Sequence, residues 1–83
     1  MSKHNRERGI RKIGKEAARA GLFMLKHKEY WEFLSATSGK PILSWWPTGT
    51  WRTPCGQLGH AKGPFGAMHA AIAIDRFLTQ ASR

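Results

Sequence analysis

Ile42-Leu43-Ser44-Trp45-Trp46-Pro47-Thr48-Gly49-Thr50-Trp51-Arg52-Thr53 is the stretch on which the fold class turns. Aromatic and β-branched residues crowd positions 42–46 and 50–53, the composition of strands. Between them, Trp46-Pro47-Thr48-Gly49 has proline where a type I turn wants φ preset and glycine where a following bulge needs positive φ. The reading is a β-hairpin. If its register sets Trp46 opposite Trp51, they form a cross-strand pair worth roughly 0.2–1 kcal/mol relative to alanines. Strand alternation sends Trp45 and Trp46 to opposite faces, so at least one belongs to the core, and one or two at most of the three hairpin tryptophans are exposed.

Upstream the pattern is different. Ile10, Ile13, Ala17, Ala20, Met24, Trp31 and Leu34 recur at three, four or seven residues and predict an amphipathic helical region. Asn5 is a suitable N-cap, and the segment stops near Ser38 and Gly39, with Pro41 beyond. Gly14 and Gly21 each cost roughly 1 kcal/mol against alanine inside a helix, so a break near Gly21 competes with one continuous rod. The run Lys15-Glu16-Ala17-Ala18-Arg19-Ala20-Gly21-Leu22 resembles the centre of a helix-turn-helix, with Ala17 four residues before a turn glycine. His27 is a poor apolar anchor for the helix that should follow.

Downstream, residues 54–66 hold four glycines and two prolines and read as a loop. A C-terminal helix then runs from about Pro64 or Phe65 to about Gln80, with proline near the first helical position, where its missing N–H costs nothing. Ala67, Met68, Ala71, Ile72, Ile74, Phe77 and Leu78 give that helix a wide apolar side that should be buried. The sum is an α+β fold: a basic N-terminal helix that can break near Gly21, a β-hairpin, a Gly-rich loop and a C-terminal helix. All 83 residues make one small domain, with residues 1–9 as a basic arm that can be disordered. A two-stranded sheet is weak alone, which makes a homodimer that extends its edge an expectation.

Charge points to a partner. Lys3, Arg6, Arg8, Arg11, Lys12, Lys15, Arg19, Lys26 and Lys28 face only Glu7 and Glu16, so the first 28 residues supply +7 of the formal +9. Such a concentration attracts polyanions through long-range Coulomb forces and counterion release. The competing reading is a solvated face that keeps the protein soluble, but such faces usually mix both signs. The expected phosphate-contacting residues are Arg6, Arg8, Arg11, Lys12, Lys15, Arg19, Lys26 and Lys28, joined by Arg52 from the hairpin and Lys62 from the loop. Trp45 and Trp51 are candidates for stacking on bases or for a protein interface. An anionic membrane surface or an acidic protein would answer the same charge.

Other chemistry finds little footing. No GxxxxGK[ST] or GxGxxG run is present, so no nucleotide cofactor is expected. His4, His27, Cys55, His60 and His69 show no paired CxxC or HxxxH spacing, so no metal is expected either. Cys55 with a histidine would be the one nucleophile pair, and Asp75 is the sole carboxylate in the second half to orient a base, so the chain does not read as an enzyme. A lone cysteine cannot form an internal disulfide, which fits a reducing cytoplasm. No segment approaches the ~20 apolar residues of a membrane span, and no membrane association is expected.

The run from Ile42 to Arg52, followed by the Gly-rich loop and Phe65-Gly66-Ala67-Met68, resembles a pattern in small uncharacterised proteins of phages and mobile elements. Those typically carry an aromatic-Pro-Thr-Thr-Gly hairpin, a basic Gly-rich loop and a terminal helix. Here the loop offers only His60 and Lys62 where a more basic segment belongs. The resemblance implies a phage-like accessory protein that acts on nucleic acid or blocks a host factor. The expected function is therefore non-enzymatic nucleic-acid binding through the phosphate backbone, with a protein-binding inhibitor of a host factor or defence complex as the alternative.

Overall fold

The computed structural model describes residues 12–81. The chain is α+β, as expected, but its sheet is larger than one hairpin. Helix α1 occupies residues 12–19, and five strands follow: β1 Leu22–Lys26, β2 Trp31–Ser35, β3 Pro41–Trp45, β4 Thr50–Arg52 and β5 Leu58–His60. Helix α2, Pro64–Ala81, ends the described chain. Each strand pairs antiparallel with the next, in the order β1-β2-β3-β4-β5.

Among the described residues, the helix of the first segment runs from residue 12 only to the break that the sequence offers near Gly21. The last turn of α1 closes with Ala20 N–H donating to the carbonyls of Glu16 and Ala17, and Gly21 N–H donating to that of Ala18. Gly21 then takes φ of 82°, a conformation costly for residues with a Cβ, and the chain leaves as a strand. Residues 22–35, expected as helix, form a hairpin in which Leu22 pairs with Ser35 and Lys26 with Trp31. The helical stripe through Met24, Trp31 and Leu34 was compatible with the spacing, but sheet pairing wins because Leu22, Phe33 and Ser35 alternate inward with period two. The helix-turn-helix reading falls with it, since the element directly after Gly21 is strand β1 and not a second helix.

The β3–β4 turn has the expected chemistry: Gly49 N–H donates to Trp46 O, Trp46 N–H to Thr50 O, and Gly49 sits at φ 114°. The register differs from the conditional one. Trp45, not Trp46, stands opposite Trp51. Within the expected loop, Leu58–His60 pairs back on β4 as an edge strand. Phe33 faces Leu43 but Leu34 faces Pro41, so Ile42 is the extra residue of a bulge.

Both helices share one core with one face of the sheet. Ile13 and Ala17 of α1, and Ala67, Met68 and Ala71 of α2, cluster with Leu22, Phe33, Ile42, Leu43 and Trp45. Fully burying Phe33, Leu22 or Leu43 contributes about 1.5–3 kcal/mol each. Alanines at 67 and 71, both fully buried, let α2 lie close to the strands. The expected burial of the whole apolar side of α2 stops halfway, and Phe77 and Leu78 are 68% and 50% exposed. An 18-residue helix is about 27 Å long and a five-residue strand about 17 Å, so the end of α2 overhangs the sheet. With five strands and two helices in one chain, the premise that a weak two-stranded sheet needs a second copy no longer applies.

Candidate nucleic-acid interface

The inward stripe of α1 dictates where its charges go. Ile13 and Ala17 point to the core, so Lys12, Lys15 and Arg19, spaced three and four apart, line one exposed side of the helix. Arg19 lies 3.8 Å from Glu16, a surface pair with its two side chains 79% and 42% exposed. Solvent screening leaves such a pair worth little. Arg6, Arg8 and Arg11, together with the expected 1–9 arm and the Asn5 cap, lie outside the described residues.

The other cations are spread over the fold. Lys26 is at the end of β1, its ammonium 5.6 Å from the centre of the Trp31 ring. Lys28 is exposed in the β1–β2 turn, not on a helix, and Lys62 is exposed between β5 and α2. Arg52 sits on the opposite side of the sheet from both helices. Residues directly paired across antiparallel strands share a face. The row Lys26, Trp31, Trp45, Trp51, Gly59 lies on the helix side, whereas Leu25, Glu32, Ser44, Arg52 and Leu58 form a row on the uncovered face. The structure therefore gathers Lys12, Lys15 and Arg19 into one strip and separates them from Arg52.

One of the adjacent pair Trp45 and Trp46 is core, as strand alternation requires, but the two stacking candidates, Trp45 and Trp51, both lie on the helix side. Trp45 is core, 4% exposed, with its indole N–H donating to the buried carbonyl of Ala61 at 3.0 Å. Trp51 is partly buried over Gly59. Neither offers a free ring on the uncovered face.

Trp46 does. Its ring stacks on Tyr30 with centroids 5.2 Å apart, and Tyr30 stacks on His27 at 4.5 Å. His27 in turn bonds through Nε2 to Glu32 Oε1 at 2.9 Å. The turn that brings Tyr30 there is closed by His27 N–H donating to Tyr30 O. Beside Trp46 lies a concavity of about 320 Å³ whose walls include Glu32, Ser44, Arg52, Thr53 and Pro54. Sequence reasoning missed His27, Tyr30 and Glu32 because it placed residues 22–35 in a helix. The alternation of Trp45 with Trp46 was the one signal that a ring faces outward.

A larger apolar cavity, about 580 Å³, lies between the β4–β5 turn and the overhanging part of α2, lined by Ile42, Pro54, Cys55, Ile74, Phe77 and Leu78. Cys55 is exposed at its rim, 3.1 Å from the Thr53 hydroxyl. That hydrogen bond first, then one from the Gln57 backbone, holds the thiol below its ordinary pKa. Among the described residues no three His, Cys, Asp or Glu side chains converge as metal ligands, and no helix is long and apolar enough to cross a membrane. Comparison with protein-family models, curated proteins and solved structures finds no match to this chain.

Proposed function

We propose that this protein binds nucleic acid through its phosphate backbone and performs no covalent chemistry on it. One observation carries the reading. Lys12, Lys15, Arg19, Lys26, Lys28, Lys40, Arg52, Lys62 and Arg76 are all exposed, and among the described residues only Arg19 of this set has a carboxylate within ion-pairing distance. Cations without a neutralising carboxylate keep their charge for a polyanion, and the counterions a phosphate backbone releases on contact supply the driving force. The Lys12-Lys15-Arg19 strip is the best-organised contact surface, with Lys28, Arg52 and Lys62 as further contacts. The resemblance of the Trp-Pro-Thr-Gly hairpin to small phage and mobile-element proteins fits an accessory role of this kind.

The test is a mobility-shift titration at two salt concentrations. If about six phosphates are contacted, raising salt from about 50 to 200 mM weakens binding roughly a thousandfold. Absence of any shift at the lower salt would sink the reading. A second reading, an inhibitor that docks on a host protein, is favoured by Phe23, Leu25 and Leu58, large apolar side chains 57%, 48% and 65% exposed on the uncovered face. In that case replacing Phe23 and Leu25 abolishes capture of the partner while neutralising Lys12, Lys15 and Arg19 does not.

A further inference from the structure

We propose that the concavity between Trp46 and Arg52 seats one unpaired base of a single-stranded nucleic acid. This rests on the nucleic-acid reading above and specifies which form of the polymer the uncovered sheet face takes. The base stacks on Trp46, the Arg52 guanidinium meets the adjoining phosphate, and Glu32 with Ser44 faces the polar edge of the base.

The geometry supplies each part. A stacking wall is useful when its ring is held in place, and Trp46 is braced by Tyr30, which is braced by His27. The space beside it is about 320 Å³, enough for a planar heterocycle and some water but small for a folded peptide segment. Its walls combine an indole with a guanidinium, a carboxylate and a hydroxyl, which between them match the π-face, the hydrogen-bonding edge and the phosphate of a nucleotide. Arg52 is exposed and has no carboxylate partner among the described residues. Glu32 is the one acidic residue in the five strands, and its bond to His27 orients it. Among the described residues Arg52 is the one cation lining the concavity and Glu32 the one carboxylate, so the phosphate contact falls to Arg52.

Single-strandedness follows from shape. A base inside a duplex presents its stacking face only to its neighbours, whereas an unpaired base can be splayed out onto an aromatic side chain. A sheet face with shallow relief cannot reach into the stack. Glu32 also sets a preference: a carboxylate accepts hydrogen bonds from exocyclic amino groups such as cytosine N4 and has no donor for the carbonyl at the same position of thymine or uracil.

The experiment measures fluorescence anisotropy of labelled oligo-dC, oligo-dT and a blunt duplex of equal length with the intact protein at about 50 mM salt, where the phosphate attraction is strong. Trp46→Ala should weaken the single strands by roughly five- to hundredfold, the range for loss of one base-stacking contact, and leave the duplex unchanged. Trp46→Phe, which keeps a ring, should retain most of the affinity. Arg52→Gln, at an exposed position that does not threaten the fold, should lower the salt slope by about one. Glu32→Gln should erase an excess of dC over dT binding. If the wild type binds none of the three, the nucleic-acid reading itself fails and the face is left to a protein partner. If it binds but Trp46→Ala and Arg52→Gln change single strand and duplex alike, or neither, the base seat is wrong and the phosphate reading stands.

Discussion

The indole of Trp51 occupies the space where Gly59, its cross-strand partner on β5, has no side chain. A Cβ at position 59 would run into the six-membered ring, at Cζ2, Cε2 and Cη2. Glycine weakens a strand, yet here it admits the ring that covers the end of the helix-side face. Gly59→Ala should therefore cost about 1–3 kcal/mol through overpacking, seen in urea unfolding. In a Trp51→Ala background the clash is gone, and the same change should be neutral or stabilising by up to about 1 kcal/mol. Additive effects in this double-mutant cycle would contradict the packing described.

The bond from Trp45 to Ala61 joins the middle of the sheet to the segment entering α2. Ala61 also donates its own N–H to Gly49 O at 2.7 Å, so one residue ties β5, the β3–β4 turn and the core together. Trp45→Phe keeps an aromatic ring but leaves the Ala61 carbonyl buried without its donor. The expected loss is about 1–3 kcal/mol, and more if the cavity left by the smaller ring does not close. Calorimetry should register it as a drop of about 4–8 °C per kcal/mol for a domain this size. Hydrogen exchange at Ala61 should accelerate more than exchange at Phe33, and equal protection at both sites in wild type and variant would argue against a local anchor.

How much of this could be read from the residues follows from where turn chemistry is explicit. Trp46-Pro47-Thr48-Gly49 announced its hairpin because proline and glycine each demand a particular backbone, and the structure places them accordingly. Pro64 and the alanine-rich run after it announced α2 in the same way. His27-Lys28-Glu29-Tyr30 carries no Gly, Pro, Asn or Asp, so the β1–β2 turn gave no local signal, and the charged residues around it read as a helix surface. Sheet pairing on both sides, with β1 through Lys26 and Trp31 and with β3 through Trp31 and Trp45, settles β2 as a strand. The site suffered the same loss. Arg52 and the lysines were visible as charges, but the brace of His27 and Tyr30 behind Trp46 exists only once that turn is formed.

Cys55 yields a pH-dependent prediction that is independent of any ligand. Its thiol is exposed, and the Thr53 hydroxyl can donate to the sulfur, which favours the thiolate. The sign follows directly: with the folded pKa lowered, the reactive thiolate forms at lower pH than in the unfolded chain. The small stabilisation this represents exists at high pH and disappears as pH falls through the folded value. Alkylation by iodoacetamide, followed from about pH 6 to 10 around the ordinary thiol range, should show a rate midpoint below that of the urea-unfolded protein. Thr53→Val should shift the midpoint upward. Because Thr53 is buried and also accepts the Gln57 N–H at 2.9 Å, Thr53→Ser is the companion variant: it keeps both hydrogen bonds and should keep the low midpoint. Identical midpoints in wild type, Thr53→Val and unfolded chain would mean that the Thr53 hydroxyl does not act on the thiol in solution.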